Sequence, residues 1–214
     1  MRRFKQKKEK IIHQPSTHEL FVCLSGMPAY STILLENYPD KEYADFLRWL
    51  LAINFNKDKD EKTIIKKLAA DFKTETAKVT KWIKEIYDDI FELNSEKPGL
   101  FQKEGIKLQL YMKSYDNYCS FFTSMPVVPR EYETIKLPFV KGVVGEDQFF
   151  VKKVEHIIED NSVEIMIWLE AGSVNRYRQF ALDKALFQGY IGFGDIYWKY
   201  AYELDKIIKE TYRN

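Results

Sequence analysis

The stretch Ile65-Lys-Lys-Leu-Ala-Ala-Asp-Phe-Lys-Thr-Glu-Thr-Ala-Lys-Val-Thr-Lys-Trp-Ile83 constrains this chain more than any other, because its apolar and small residues are spaced for two helices that cross. Leu68, Ala69 and Phe72 fall on one face of a first helix, and Ala69 is small enough to let a second helix pass closely at a steep angle. Val79, Trp82 and Ile83 form the inner face of that second helix. Between them, Lys73-Thr-Glu-Thr76 has the length of a tight turn, and Thr76 is placed to cap the following helix by accepting a backbone N–H. Two such helices cannot bury both apolar faces alone, so a third is required. Pro39-Asp40 opens one, with Tyr43, Phe46, Leu47, Leu50 and Leu51 at helical spacing from Lys41 to Ile53. A polar loop from Asn54 to Asp60 and helices over Glu61 to Phe72 and Thr76 to Leu93 complete a unit of about 55 residues.

At Ile65 to Ile83 the chain resembles the helix-turn-helix superfamily of DNA-binding domains. The resemblance covers about twenty of 214 residues and names no family within that superfamily. It implies that the helix from Thr76 enters the major groove by its N-terminal end. The groove-facing candidates then lie opposite the Val79 and Ile83 stripe: Thr76, Ala77, Thr80, Lys81 and Lys84. Thr76 and Thr80 offer hydroxyl or methyl contacts to base edges, and Lys81 reaches guanine or phosphate. Lys73 and Lys78, beside the turn, suit phosphate contacts that position the helix without reading sequence, and Lys66 and Lys67 add charge on the preceding helix. The chain departs from the superfamily at Lys73, where a glycine in the left-handed conformation is usual, and at Thr74, which replaces an apolar turn residue.

Charge limits how this helix can approach DNA. The formal net charge of the chain is +1, and Glu36 to Asn94 holds thirteen acidic and eleven basic residues, so affinity must come from local charge rather than a general polycationic surface. Asp88, Asp89 and Glu92 repel phosphate, which leaves only Lys73 to Lys84 able to lie close to it. Residues 1 to 10 carry six Lys or Arg against one Glu and form a basic arm that is either a phosphate contact or a solvated terminus. The stripe Val79, Ile83, Ile86, Ile90 and Leu93 suits a core or a short coiled-coil seam, and its far end offers a route to a homodimer.

With 45% hydrophobic and 15% aromatic residues the chain can bury a sizeable core, and its length permits two domains. No apolar run approaches a membrane span and the N-terminus lacks a signal-peptide core, which predicts a cytoplasmic protein. Cys23 and Cys119 match no metal or redox spacing and read as reduced, buried thiols, a single disulfide being the alternative. Glu19 to Ser25 reads as a short buried strand that can join the C-terminal sheet. Asn94-Ser-Glu-Lys-Pro-Gly99 marks a change from helical to alternating pattern and is taken as a domain boundary. Beyond it, Ile106 to Lys113 and Tyr118 to Thr123 form a hairpin, with strands at Thr134 to Leu137, Gln148 to Ile158 and Val163 to Leu169. Gly172-Ser173 starts a helix to about Gln188, stopped by Gly189, and Asp195 caps a final helix to about Thr211 with Ile196, Tyr200, Leu204, Ile207 and Ile208 inward. The expected class is therefore α+β: a basic arm and strand over 1–35, a three-helix helix-turn-helix domain over 36–95, and over 104–214 an antiparallel or mixed sheet with two C-terminal helices.

Little in the chain points to chemistry. His13, His18 and His156 provide no pair at metal-ligand spacing, Gly192-Phe-Gly194 lacks a third glycine and the βαβ context of a dinucleotide loop, and Ser173 reads as a helix cap. No catalytic residue, metal or cofactor is assigned. Tyr111, Tyr115, Tyr118, Phe121, Phe122, Phe149, Phe150, Trp168 and Trp198 can stack on bases or line a pocket, but sheet faces favour aromatics as core. Arg176-Tyr-Arg178 with Lys184 reads as a solvated basic helix face. The expectation is a sequence-specific binder of double-stranded DNA, a transcriptional regulator. The alternatives are a protein-interaction module of a mobile element and a nucleic-acid-processing enzyme using Glu164 and Glu170 on the C-terminal sheet.

Overall fold

The computed structural model of the chain describes residues 12–53, 64–160, 162–199 and 201–212; the basic arm and the Asn54 to Asp60 loop lie outside them. Among the described residues, five α-helices precede the sheet: α1 (Thr17–Ser25), α2 (Pro28–Asn37), α3 (Ala44–Ala52), α4 (Ile64–Asp71) and α5 (Thr76–Glu96). The expected strand at Glu19 to Ser25 is instead α1. A continuous apolar run does not distinguish strand from helix by period, and the cap decides. Ser16 Oγ accepts the Glu19 backbone N–H at 3.1 Å, and Leu20, Phe21, Cys23 and Leu24 are buried at helical spacing. The Ser16-x-x-Glu19 pattern was the available signal. Helix α2, not anticipated, starts with Pro28 in its first turn, where a missing N–H costs nothing.

The sheet comprises β1 (Ile106–Ser114), β2 (Asn117–Met125), β3 (Thr134–Lys136), β4 (Gln148–Glu159) and β5 (Ser162–Ala171), with a short helix α6 (Lys141–Val144) between β3 and β4. Its order is β2-β1-β5-β4-β3. Strands β1 and β5 run parallel at its centre and every other pair is antiparallel, so the sheet is mixed and the fold is α+β. The hairpin turns carry Tyr115 and Asp160 at φ 50° each. One sheet face, with Leu108, Leu110, Met112, Phe121, Phe149, Val151, Ile167 and Leu169, is buried in a single core with the helices.

That shared core moves the domain boundary. Helix α5 runs on through Glu96, and its stripe from Val79 to Leu93 is buried along its whole length, the far end against β2. Asn94 is 1% exposed and stands in for a further strand beside the edge strand β2: its amide donates to the Phe122 carbonyl, and its carbonyl accepts the Phe122 N–H, each at 2.8 Å. Asn94 to Gly99 is thus a turn within one unit, and the chain divides after Ser173 instead. The dimerisation route through the far end of α5 is closed by the same burial.

The second unit, from Val174, holds α7 (Arg176–Phe187), α8 (Phe193–Trp198) and α9 (Ala201–Thr211) around Leu182, Ala185, Ile191 and Leu204. Asn175, not Ser173, caps α7, accepting the Arg178 N–H at 3.0 Å. Gly189 ends that segment with φ 76°. The expected last helix is two: α8 starts after Gly192, whose N–H donates to the Asp195 carboxylate at 2.8 Å, and Lys199 takes an extended conformation. Among the described residues no helix is long and apolar enough to cross a membrane.

Candidate nucleic-acid interface

Helices α4 and α5 meet through a Schellman turn. The Thr74 N–H bonds the Ala69 carbonyl at 2.8 Å and the Lys73 N–H bonds that of Ala70 at 3.1 Å, with Lys73 at φ 55°. Lys73 therefore occupies the left-handed position that glycine usually takes. Helix α5 begins at Thr76, as its pattern predicts, but the cap position is Glu75 and no side chain bonds the first turn. Thr76 is a first-turn residue and not the cap. Its hydroxyl is one position past the geometry needed to reach back to the free amides.

Behind the turn, Phe46, Trp49, Phe72 and Trp82 form an aromatic cluster with centroids 5.3 to 5.9 Å apart, fixing α5 against α3 and the end of α4. Trp82 is 4% exposed and its indole N–H has no partner among the described residues, so it contributes through buried area and ring contacts. Below it, Tyr43 is buried and its hydroxyl donates to Asp89, which Lys41 also reaches at 3.0 Å. Burial pushes the Tyr43 hydroxyl well above its usual range. The acidic half of α5 is thus partly neutralised from within.

All seven candidate residues, Lys73, Thr76, Ala77, Lys78, Thr80, Lys81 and Lys84, are exposed, while Val79, Trp82, Ile83 and Ile86 between them are buried. The structure brings the seven onto the turn and the first turns of one helix. From Thr76 to Lys84 they extend about 12 Å at the helical rise, close to the width of a major groove. Lys73 has no ion-pair partner among the described residues, but Lys78 and Lys81 are engaged. Glu42, just before α3, accepts from Lys78 Nζ with one carboxylate oxygen and from Lys81 Nζ with the other, both at 3.1 Å. Lys81 also lies 3.6 Å from Glu85, and Lys78 lies 4.8 Å over the Trp82 ring. The hydrogen bonds from Lys78 and Lys81 hold the Glu42 carboxyl below the usual carboxylate range, and Glu42 in turn raises Lys81. Sequence reasoning missed Glu42 because the helix geometry that pairs it with residues nearly forty positions on is not local.

The aromatic candidates separate by face. Phe121 and Phe149 are core. Tyr111, Tyr118 and Trp168 lie on the opposite sheet face, Tyr111 with ring centroids 4.6 Å from Trp168 and 6.2 Å from Tyr118. The Trp168 N–H donates to Glu155 at 3.0 Å. Glu170 is paired with Lys152 at 2.6 Å, and Glu164 is exposed opposite Ile157. Of the basic cluster on α7, Arg178 binds Asp205 and Lys184 lies 4.6 Å over the Tyr212 ring. Both cysteines are free thiols; burial pushes Cys23 up to about 11 and Cys119 to about 12. Among the described residues no three His, Cys, Asp or Glu side chains are grouped to hold a metal ion. Comparison with protein-family models, with curated proteins and with solved structures found no match.

Proposed function

We propose that this chain binds double-stranded DNA in the cytoplasm as a sequence-specific regulator, reading the major groove with the first turns of α5. The observation that carries the reading is the exposed face Thr76, Ala77, Thr80, Lys81 and Lys84, set on a helix whose other side is locked into the core. The Schellman turn with left-handed Lys73 and the aromatic cluster support it, since they hold α4 and α5 at a fixed angle. Thr80 and Thr76 read base edges, Lys81 reaches guanine or phosphate, and Lys73, Lys78 and Lys84 position the helix on the backbone.

Selection of bound duplexes from a random pool, followed by salt titration, tests this. Lys81→Ala is expected to weaken the selected duplex about tenfold and to lower the salt slope by about one, whereas Thr80→Ala changes base preference. Unchanged binding in both variants would remove α5 as the reader.

A further inference from the structure

Strands β1 and β5 share a parallel ladder only from Gln109 beside Met166 to Lys113 beside Glu170. Before it they part, and β5 keeps β4 alone as its neighbour, out to Glu159 beside Ser162. A cavity of about 300 Å³ occupies this notch, wholly within the first unit and at the lower end of the range for small-molecule sites. Phe122, Ile157, Ile165 and Met166 give it apolar walls, and the segment after α5 adds Pro98 and Gln102.

The polar groups in the notch are few and of opposite sign. Lys107 lines it from β1 and Glu164 from β5, and the register continued two residues back sets them beside each other across the gap. Elsewhere on the sheet Lys152 meets Glu170 at 2.6 Å and Lys153 meets Glu155 at 2.8 Å. Lys107 and Glu164 make no such contact: among the described residues neither has an ion pair or hydrogen bond, with the other or with any third group. Gln102 adds an acceptor. Its Nε2 donates to the Leu108 carbonyl at 3.1 Å, and because a carbonyl only accepts, the amide is oriented and its Oε1 is left without a partner among the described residues.

We infer that the notch binds a free α-amino acid with an apolar side chain. Its ammonium meets Glu164 and the Gln102 Oε1, its carboxylate meets Lys107, and its side chain lies against Phe122 and Met166. Charge complementarity selects this class: a zwitterion answers both residues at once, whereas a singly charged ligand leaves one of them without a counter-ion. The volume suits one small molecule with a short apolar body.

Isothermal titration of the full chain, without DNA, uses leucine, methionine and phenylalanine in turn. The tightest of the three is then compared with its amide, which lacks the anionic end, and its N-acetyl derivative, which lacks the cationic end. At least one amino acid is expected to saturate a single site with Kd below about 100 μM, and each derivative to bind about tenfold more weakly for the loss of one charged hydrogen bond. Glu164→Gln should weaken the amino acid and its amide about tenfold and leave the N-acetyl derivative unchanged. Lys107→Met should weaken the amino acid and its N-acetyl derivative and leave the amide unchanged. Both side chains are exposed, and an unchanged thermal midpoint checks that each variant folds. No saturation by any of the three, derivatives that bind as tightly as their parent, or two folded variants with wild-type affinity would overturn the inference. Since DNA is absent from the titration, its failure leaves the reading of α5 intact, and loss of that reading leaves the notch.

Discussion

Replacing Asn94 with alanine is expected to destabilise the first unit by about 2–4 kcal/mol. The magnitude follows from what the side chain does. It makes two hydrogen bonds of 2.8 Å to one residue of the edge strand, Phe122, while itself 1% exposed. Each bond contributes about 0.5–1.5 kcal/mol, and a buried N–H or carbonyl left without a partner costs about 1–3 kcal/mol. Partial access of water to the strand edge holds the sum below the upper limit. Asn94→Asp keeps the acceptor for the Phe122 N–H but loses the donor and sets a carboxylate against the Phe122 carbonyl, so it is expected to be at least as damaging. Urea unfolding of the full chain, followed by Trp fluorescence and far-ultraviolet circular dichroism, measures both. A change below about 0.5 kcal/mol in Asn94→Ala would mean that the amide does not hold α5 to the sheet, and that the aim of its exposed end is set elsewhere.

Glu42→Gln should tighten duplex binding about three- to tenfold at low salt, because Lys78 and Lys81 no longer share a competing carboxylate, with the gain fading as salt rises; no gain at low salt would exclude Glu42 as a competitor for phosphate. Lys73→Gly relieves the left-handed strain at φ 55° and is expected to stabilise the chain by about 0.5–1 kcal/mol while weakening DNA binding, and a loss of stability would count against the strain assignment. Thiol titration at pH 8 should find both cysteines slow in the folded chain, since values raised to about 11 and about 12 keep them neutral there; fast labelling before unfolding would contradict that burial.

Local pattern carried the elements whose signals are local. The stretch from Ile65 to Ile83 encodes two helices and a turn, down to the start at Thr76, because inward and outward positions alternate there with a clear 3.6 period. The α+β class and the strand positions were legible in the same way. Where the pattern was ambiguous, tertiary structure decided. Leu20 to Leu24 is apolar without a break, and only the Ser16 cap and the packing of α1 on α5 make it a helix. The composition change at Asn94 to Gly99 is real, but it separates two elements of one core, because helix and sheet bury the same residues between them. Glu42 and Asn94 are ordinary polar residues in sequence. One becomes the counter-ion of two candidate DNA contacts and the other a substitute strand, since each acts on groups brought near only by folding. The sequence by itself thus determined which residues of α5 face outward. Tertiary structure alone decided what holds that helix in place and what already competes for its lysines, because those contacts join distant segments.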